Sequence, residues 1–330
     1  MTLEEIIKEK IKRKGPIKVS EFVELALYHP ESGFYNHYPP VIGRKGDFYT
    51  SSDLHPIFGR TIGKFLDSKK FPVVLEIGAG KGWLAHDILE EYRGEYWIVE
   101  KSRIMQEIEK EVLRNFSNVR WFNNIEEIPE FQGIFISNEL FDAFPFDLYK
   151  NQEGKWFEIL LKEDFSHELC PPDEEIFPLL DHYREAEFVV IPAGWENLIE
   201  VLSKKHTGEI LIIDYGYERD ELVRKFPYGS ILTYKNHAFG EHFTKNIGEQ
   251  DITFFIDFTL LEEILQSNGY SDLIIQTQAD FLIEQGIMDV LQEYEKISDE
   301  KEKIKARLAV KTLIFDFGRT FKVLRGRKIG

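Results

Sequence analysis

Gly78, Gly80 and Gly82 follow the apolar run Val73-Val74-Leu75, with Glu76 just ahead of them in the stretch VLEIGAGKG. An apolar run that ends in glycines and passes into apolar residues at helical spacing, Trp83 to Tyr92, predicts a strand, a tight turn and a helix. Such a turn can hold nucleoside triphosphate phosphates, a dinucleotide or S-adenosylmethionine (SAM). A P-loop needs G-x-x-x-x-G-K-[ST], but Lys81 is followed by Gly82 and no glycine stands five residues before Gly80, so the triphosphate reading fails. The dinucleotide fingerprint G-x-G-x-x-G requires a third glycine where helix and strand approach closely, and bulky Trp83 occupies that slot. SAM has no pyrophosphate to cradle, and its loop needs only room for the methionine part and the sugar, which Gly78, Ala79, Gly80 and Gly82 suit. Glu76 is placed to accept a hydrogen bond from the ligand's ammonium. Glu100, eighteen residues beyond Gly82, is placed to take both ribose hydroxyls. Dinucleotide folds share that second acid, so Glu100 supports a nucleoside without separating the two cases. Asn123, Asn138 and Glu139 complete the expected cofactor set.

The elements that must position these groups alternate from residue 71 onward. Strands are expected at Val73 to Ile77, Tyr96 to Val99, Val119 to Phe122 and Gly133 to Ser137, with helices at Trp83 to Tyr92 and Ile104 to Phe116. Alternation of this kind implies an α/β fold with a parallel sheet covered on both faces. Asp147 to Tyr149, a turn at Asn151 to Gly154, and Lys155 to Leu161 read as a hairpin inserted in that core. The alternation resumes with a helix near Ala193 to Lys204 and strands at Glu209 to Ile213, Leu273 to Thr277 and Phe321 to Leu324. Ahead of the core, helical patterns at Leu3 to Ile11 and Ser20 to Tyr28 flank Gly15-Pro16. The long aromatic loop from His29 to Asp53 is expected to be ordered and to have a task. The division expected is an N-terminal helical extension with a substrate-side loop over 1–70, and a core over 71–330 with an insertion at about 146–192 and C-terminal helices.

Composition narrows the partners. The 330 residues are 43% apolar and carry a net charge of −17, so broad contact with nucleic acid or anionic lipid is disfavoured. The one cysteine, Cys170, leaves no internal disulfide and suggests a reducing compartment, with the cytoplasm as the default expectation. The opening MTLEEIIKEKIKRKG lacks an apolar h-region, and its glutamates are wrong for a transit peptide, so no targeting segment or membrane insertion is expected. No H-E-x-x-H or paired metal spacing involves the histidines, so no metal is expected, and His237 and His242 read as hydrogen-bonded loop residues. The basic tail Lys322, Arg325, Arg327 and Lys328 reads as a solvated face.

Several stretches together resemble the MidA-like methyltransferases: Gly46-Asp47-Phe48-Tyr49-Thr50-Ser51, Glu76-Ile77-Gly78-Ala79-Gly80, Asn138-Glu139-Leu140-Phe141-Asp142-Ala143-Phe144-Pro145, Ile213-Asp214-Tyr215-Gly216, Asp251-Ile252-Thr253, Ile256-Asp257-Phe258 and Thr277-Gln278. They run in family order over nearly the whole chain. Ala79 stands where the family often has proline, and Ser52-Asp53 replace Pro-Glu. The resemblance implies a class I SAM-methyltransferase fold, Rossmann-like, with a seven-stranded sheet containing one antiparallel strand. It also implies SAM as cofactor and methylation of an arginine in a partner protein, a respiratory complex I subunit in the mitochondrial relatives.

In open α/β sheets ligands lie beyond the carboxyl ends of strands, which places Asn138 and Glu139 beside the reacting methyl. Asp142 lies on the same side if a helical turn begins at Glu139. Phe141, Phe144 and Pro145 are expected to wall the pocket. A guanidinium nucleophile is protonated and planar, so carboxylates that clamp it and accept its proton are wanted. Glu139, Asp142, Asn138 and the loop residue Asp47 are the expected catalytic groups, while Asp214-Tyr215-Gly216 either lines the site or caps a helix. A SAM-binding assembly chaperone without turnover is the competing expectation, and a nicotinamide dehydrogenase is disfavoured by Trp83.

Overall fold

The computed structural model describes residues 1–37, 54–235 and 238–330. Of these, residues 54–140, 198–215 and 262–330 form one compact unit, and residues 1–37, 141–197 and 216–261 form another.

The first unit is built on seven strands: β1 (Val73–Ile77), β2 (Glu95–Val99), β3 (Val119–Phe122), β4 (Phe131–Asn138), β5 (His206–Tyr217), β6 (Ser271–Thr277) and β7 (Phe321–Lys328). Their order across the sheet is β6-β7-β5-β4-β1-β2-β3. Strands β1 to β5 run parallel, and β7 is antiparallel to both β5 and β6. Central parallel strands lose both faces to helices, which is why they read as continuous apolar runs: Val74 and Leu75, Ile134 to Ile136, and Ile210 to Ile213 are all buried. The chain goes from β1 outward to β2 and β3, then returns to place β4 on the other side of β1. Strand order therefore reverses between β1 and β4, and the carboxyl ends of that pair open a crevice. The basic tail forms β7, on which half-buried Arg325 pairs with Glu284 at 3.2 Å and exposed Arg327 pairs with Asp272.

The second unit begins with the helix Leu3–Lys14, opened by a reciprocal capping box between Thr2 and Glu5, with Leu3, Ile7 and Ile11 buried. Gly15 ends it, and Ile17–Lys18 then pairs antiparallel with Lys155–Leu161. That pairing makes the N-terminal segment the edge of a five-stranded sheet with Phe146–Gln152, Phe188–Pro192 and His167–Cys170. The expected hairpin is present, and its two-residue turn Glu153-Gly154 has positive φ at both positions, matching strand twist. A three-stranded sheet, Ala238–Phe239, Ile231–Lys235 and Asp251–Phe254, carries the second buried acidic stretch. Within this unit Ile256–Asp257 pairs parallel with Gly216 and Tyr217. Asp257 is buried and accepts hydrogen bonds from Arg219 at 3.0 Å and from Tyr183.

The helix Ile57–Lys69 packs against Trp83–Leu89, the helix that leaves the glycine turn, and Gly63 sits where the backbones meet. A Cβ at Gly63 would lie 2.6 Å from the carbonyl oxygen of Ile88 and 3.1 Å from its Cα. Helix propensity alone favours Gly63→Ala by about 1 kcal/mol. The contact is with backbone, which cannot rotate away, so packing decides the sign. We expect Gly63→Ala to lower unfolding stability by roughly 2 kcal/mol in denaturant titration; a stabilised variant would show that the two helices separate freely.

Candidate functional site

The crevice end of β1 is shaped by backbone conformation. Gly78, Gly80 and Gly82 have φ of 72°, 57° and 76°, a region other residues enter only at a cost. Gly78 N–H donates to the carbonyl of Val99 at 3.0 Å, tying the turn to the end of β2, and Gly82 starts the helix Trp83–Leu89. Nothing lies within 4 Å of the place where a side chain at Gly80 would begin, so the backbone there stands open to a ligand. At Gly78 a Cβ would come within 3.0 Å of Leu140 Cδ1.

Three carboxyls surround this turn. Glu76 is buried, accepts from the Tyr96 hydroxyl at 2.8 Å, and is pushed up to about 7 chiefly by burial, with Glu100 adding repulsion. The half-buried Glu100 is also pushed up to about 7 by loss of water, although the Ser102 N–H donates to it at 2.7 Å and lowers it. Glu109, absent from the sequence-derived set, is fully buried and sits below Gly82, with its Cα 3.4 Å from where a Gly82 Cβ would be. Burial and the neighbouring Glu100 push it up to about 9. Asn123 follows β3, and its amide oxygen accepts from Gln106 at 3.2 Å.

Across the crevice, β4 continues through Asn138, and Glu139 takes a φ of 53°, a left-handed conformation unusual for a glutamate. Its N–H donates to the carbonyl of Ile213 at 2.9 Å, and its carboxylate accepts from the Asn138 amide at 3.2 Å. The amide oxygen of Asn138 is enclosed and has no hydrogen-bond partner among the described residues. Asp214, at the end of β5, is fully buried and accepts from the N–H of Tyr215 at 2.8 Å. The helical turn expected at Glu139 begins instead at Phe141, as the short 3-10 turn Phe141–Ala143.

Asp142 belongs to the second unit, in a cluster of its own. The Thr253 hydroxyl donates to its carboxylate at 2.8 Å. Asp251 is buried and accepts from the Tyr35 hydroxyl at 2.9 Å, and Tyr35 packs against Tyr28 with ring centroids 5.3 Å apart. Burial and the charge of Asp142 push Asp251 up to about 7. Phe141 is fully buried, edge-on to Trp195 at 5.4 Å, and so serves the core of this unit. Asp251 and Thr253 stand in the stretch quoted for the family resemblance, which was the available signal; Tyr35 had none beyond its place among loop aromatics. Asp47, the Gly46 to Ser51 stretch and His237 lie outside the described residues.

Four carboxyls, Glu76, Glu100, Glu109 and Asp251, thus hold protons at a pH where the unfolded chain has released them. A raised folded-state value means that the folded state binds more protons, so this contribution to stability is full below the ordinary carboxylate range and is lost as pH rises through about 7 and then about 9. The melting temperature of the ligand-free protein should therefore fall between about pH 5 and pH 8, by an amount equivalent to a few kcal/mol. A flat or rising profile in calorimetry would contradict the burial of these groups.

The residues present fit SAM: open backbone at Gly80, carboxyls at the ends of β1 and β2, and an enclosed amide oxygen at the end of β4. Comparison with known proteins agrees. Residues 60–275 match a family model described as "Putative S-adenosyl-L-methionine-dependent methyltransferase". A crystal structure of a Burkholderia thailandensis protein bound to S-adenosyl-homocysteine (SAH) is similar over 99% of this chain and 92% of its own, with a TM-score of 0.88 and 26% identity. The protein arginine methyltransferase NDUFAF7 of Mus musculus, a mitochondrial protein, is 28% identical over 308 residues, 78% of this chain and 68% of its own. Its Caenorhabditis elegans homologue, also mitochondrial, is 24% identical over 97% of this chain and 85% of its own. The cytoplasmic expectation is overturned by these relatives: a lone free thiol reports a reducing environment, and the mitochondrial matrix is reducing too. The fold, the cofactor and the catalytic class agree, and the chain belongs to the SAM-dependent methyltransferases of the MidA-like family.

Proposed function

We propose that this methyltransferase modifies an arginine side chain of a partner protein. The observation that carries the reading is the buried acid pair Asp142 and Asp251 beside Tyr35 and Tyr28. Asp251 has no cationic partner among the described residues and keeps its proton near neutrality, so it stands ready for a cation brought by a substrate. A guanidinium answers that need because it stays charged in water, is planar, and donates in a fork that carboxylates accept. The arginine-methylating relatives support the same nucleophile. Their family also points to a respiratory complex I subunit as the first substrate to try.

SAM, when bound, supplies the sulfonium methyl. Glu76 would hold the ammonium end, Glu100 the ribose, and Gly78 to Gly82 the path between them, with Asn123 and Asn138 as further polar contacts. The substrate nitrogen must be held in line and relieved of a proton as it becomes methylated, which is work for carboxylates. Glu139 is the first candidate for that base. Its left-handed backbone fixes the carboxylate's direction at the end of β4, and the Asn138 amide steadies it. Within the second unit Asp142 accepts from Thr253 and Asp251 from Tyr35, an acid pair of the kind that accepts from a guanidinium. Asp47 remains a proposed member of this set.

The test is methyl transfer from labelled SAM to arginine-bearing proteins, followed by amino-acid analysis. Methylarginine should form with the intact chain, and label on lysine alone would overturn the reading. Glu139→Gln and Asp142→Asn should each lower the rate by about 10²-fold or more while leaving SAH affinity within a few-fold. Full activity in both would remove these carboxylates from the mechanism.

A further inference from the structure

The helix Arg103–Val112 exposes Arg103, Glu107, Lys110 and Glu111 in the ordinary way, but the residues it buries fully are polar. Ile104 is 41% exposed, whereas Gln106 and Glu109, one helical turn apart, are buried. A helix that leaves an isoleucine in water and buries a glutamine and a glutamate gives up apolar transfer energy, and the inward polar groups must have partners that repay it. Gln106 has two. Its amide nitrogen donates to the backbone carbonyl of Glu100 at 2.8 Å and to the side-chain oxygen of Asn123 at 3.2 Å, so it joins the ends of β2 and β3. Glu109 accepts from the indole N–H of Trp121 on β3 at 2.9 Å through Oε2, while Oε1 is enclosed with no hydrogen-bond partner among the described residues. The rest of its side chain lies under Gly82, with Cγ and Cβ 3.5 and 3.6 Å from the position of a Gly82 Cβ.

We propose that Glu109 is a positioning residue for the cofactor, a buried carboxyl held by Trp121 beneath Gly82 that sets the height of the glycine turn above the ends of β2 and β3. The proposal rests on the cofactor lying at this turn. Neutrality is the condition. Glu100 and Glu76 both repel a charge on Glu109, and Tyr96 turns its hydroxyl to Glu76; the Trp121 N–H and exposed Lys110 only partly oppose that repulsion. With Glu109 protonated, Glu76 and Glu100 are free to ionise against a bound ligand. Once Glu109 ionises, three carboxylates crowd one turn and the turn must open.

Glutamine reproduces the neutral acid, since its oxygen can accept from Trp121 and its nitrogen carries hydrogens where the acid carries its proton. Leucine reproduces the volume and the neutrality but leaves the Trp121 N–H without this acceptor. Binding of methylthioadenosine, which has the adenine and ribose but no amino-acid part to titrate, should be measured by calorimetry from about pH 7 to about pH 10 on the intact chain and both variants. Melting curves establish that each is folded. We expect the wild-type affinity to fall roughly tenfold between about pH 8 and pH 10 as Glu109 loses its proton, and E109Q to bind as tightly as wild type near pH 7.5 with no alkaline fall. E109L should bind about tenfold more weakly throughout. An equal alkaline fall in E109Q, or an E109L that binds like E109Q, would overturn the role of Glu109. Absence of binding by the wild-type chain near pH 7.5 would instead overturn the placement of the cofactor, and the proposal with it.

Discussion

Glu76 ends β1 with its side chain 2% exposed, and a carboxylate in that place loses hydration that one hydrogen bond from Tyr96 cannot restore. The remaining deficit is met by keeping the proton up to about pH 7. The rest of the cofactor unit is arranged around that condition. The turn that follows must present backbone rather than side chain to the crevice, so it uses glycine with positive φ at residues 78, 80 and 82. The next strand ends in a second carboxyl, Glu100, which the N–H of Ser102 supports at the start of the following helix. The helix then buries Gln106 and Glu109, which find polar partners at the two strand ends and on β3.

The second unit solves the same problem with different chemistry. Asp142 and Asp251 are buried close enough for one charge to oppose the other, and each has a hydroxyl donor, Thr253 for one and Tyr35 for the other. A hydroxyl orients a carboxyl without neutralising it. Elsewhere in this unit the buried Asp257 is paired with Arg219 and also accepts from Tyr183, so its charge is answered within the chain.

Much of the cofactor unit was legible in the chain because its signals are local. Buried parallel strands print themselves as apolar runs, and a strand followed by closely spaced glycines and an amphipathic helix can be read without tertiary information. Glu76, Glu100 and Glu139 were legible because each stands at a strand end. Glu109 was not, since helical periodicity gives a glutamate no inward place, and only its partner Trp121 and the neighbouring contacts of Gln106 explain its burial. Pairing of Ile17–Lys18 with Lys155–Leu161 was equally hidden: two residues carry no strand signal, and the register depends on a partner far along the chain. The turn expected at Glu139 was misplaced by two residues because nothing in its composition announces a glutamate with positive φ. Compartment was misread because thiol content distinguishes oxidising from reducing surroundings and goes no further.

The proton inventory links stability to function. Each raised carboxyl makes the ligand-free protein less stable at neutral pH than it would be with an apolar residue in the same space, since either a proton is taken up or a charge is left dry. The same free energy becomes available on binding. Any cation brought against such a carboxyl lowers its value, releases the proton and recovers that free energy, whereas glutamine or asparagine in the same place would keep the shape and leave nothing to recover.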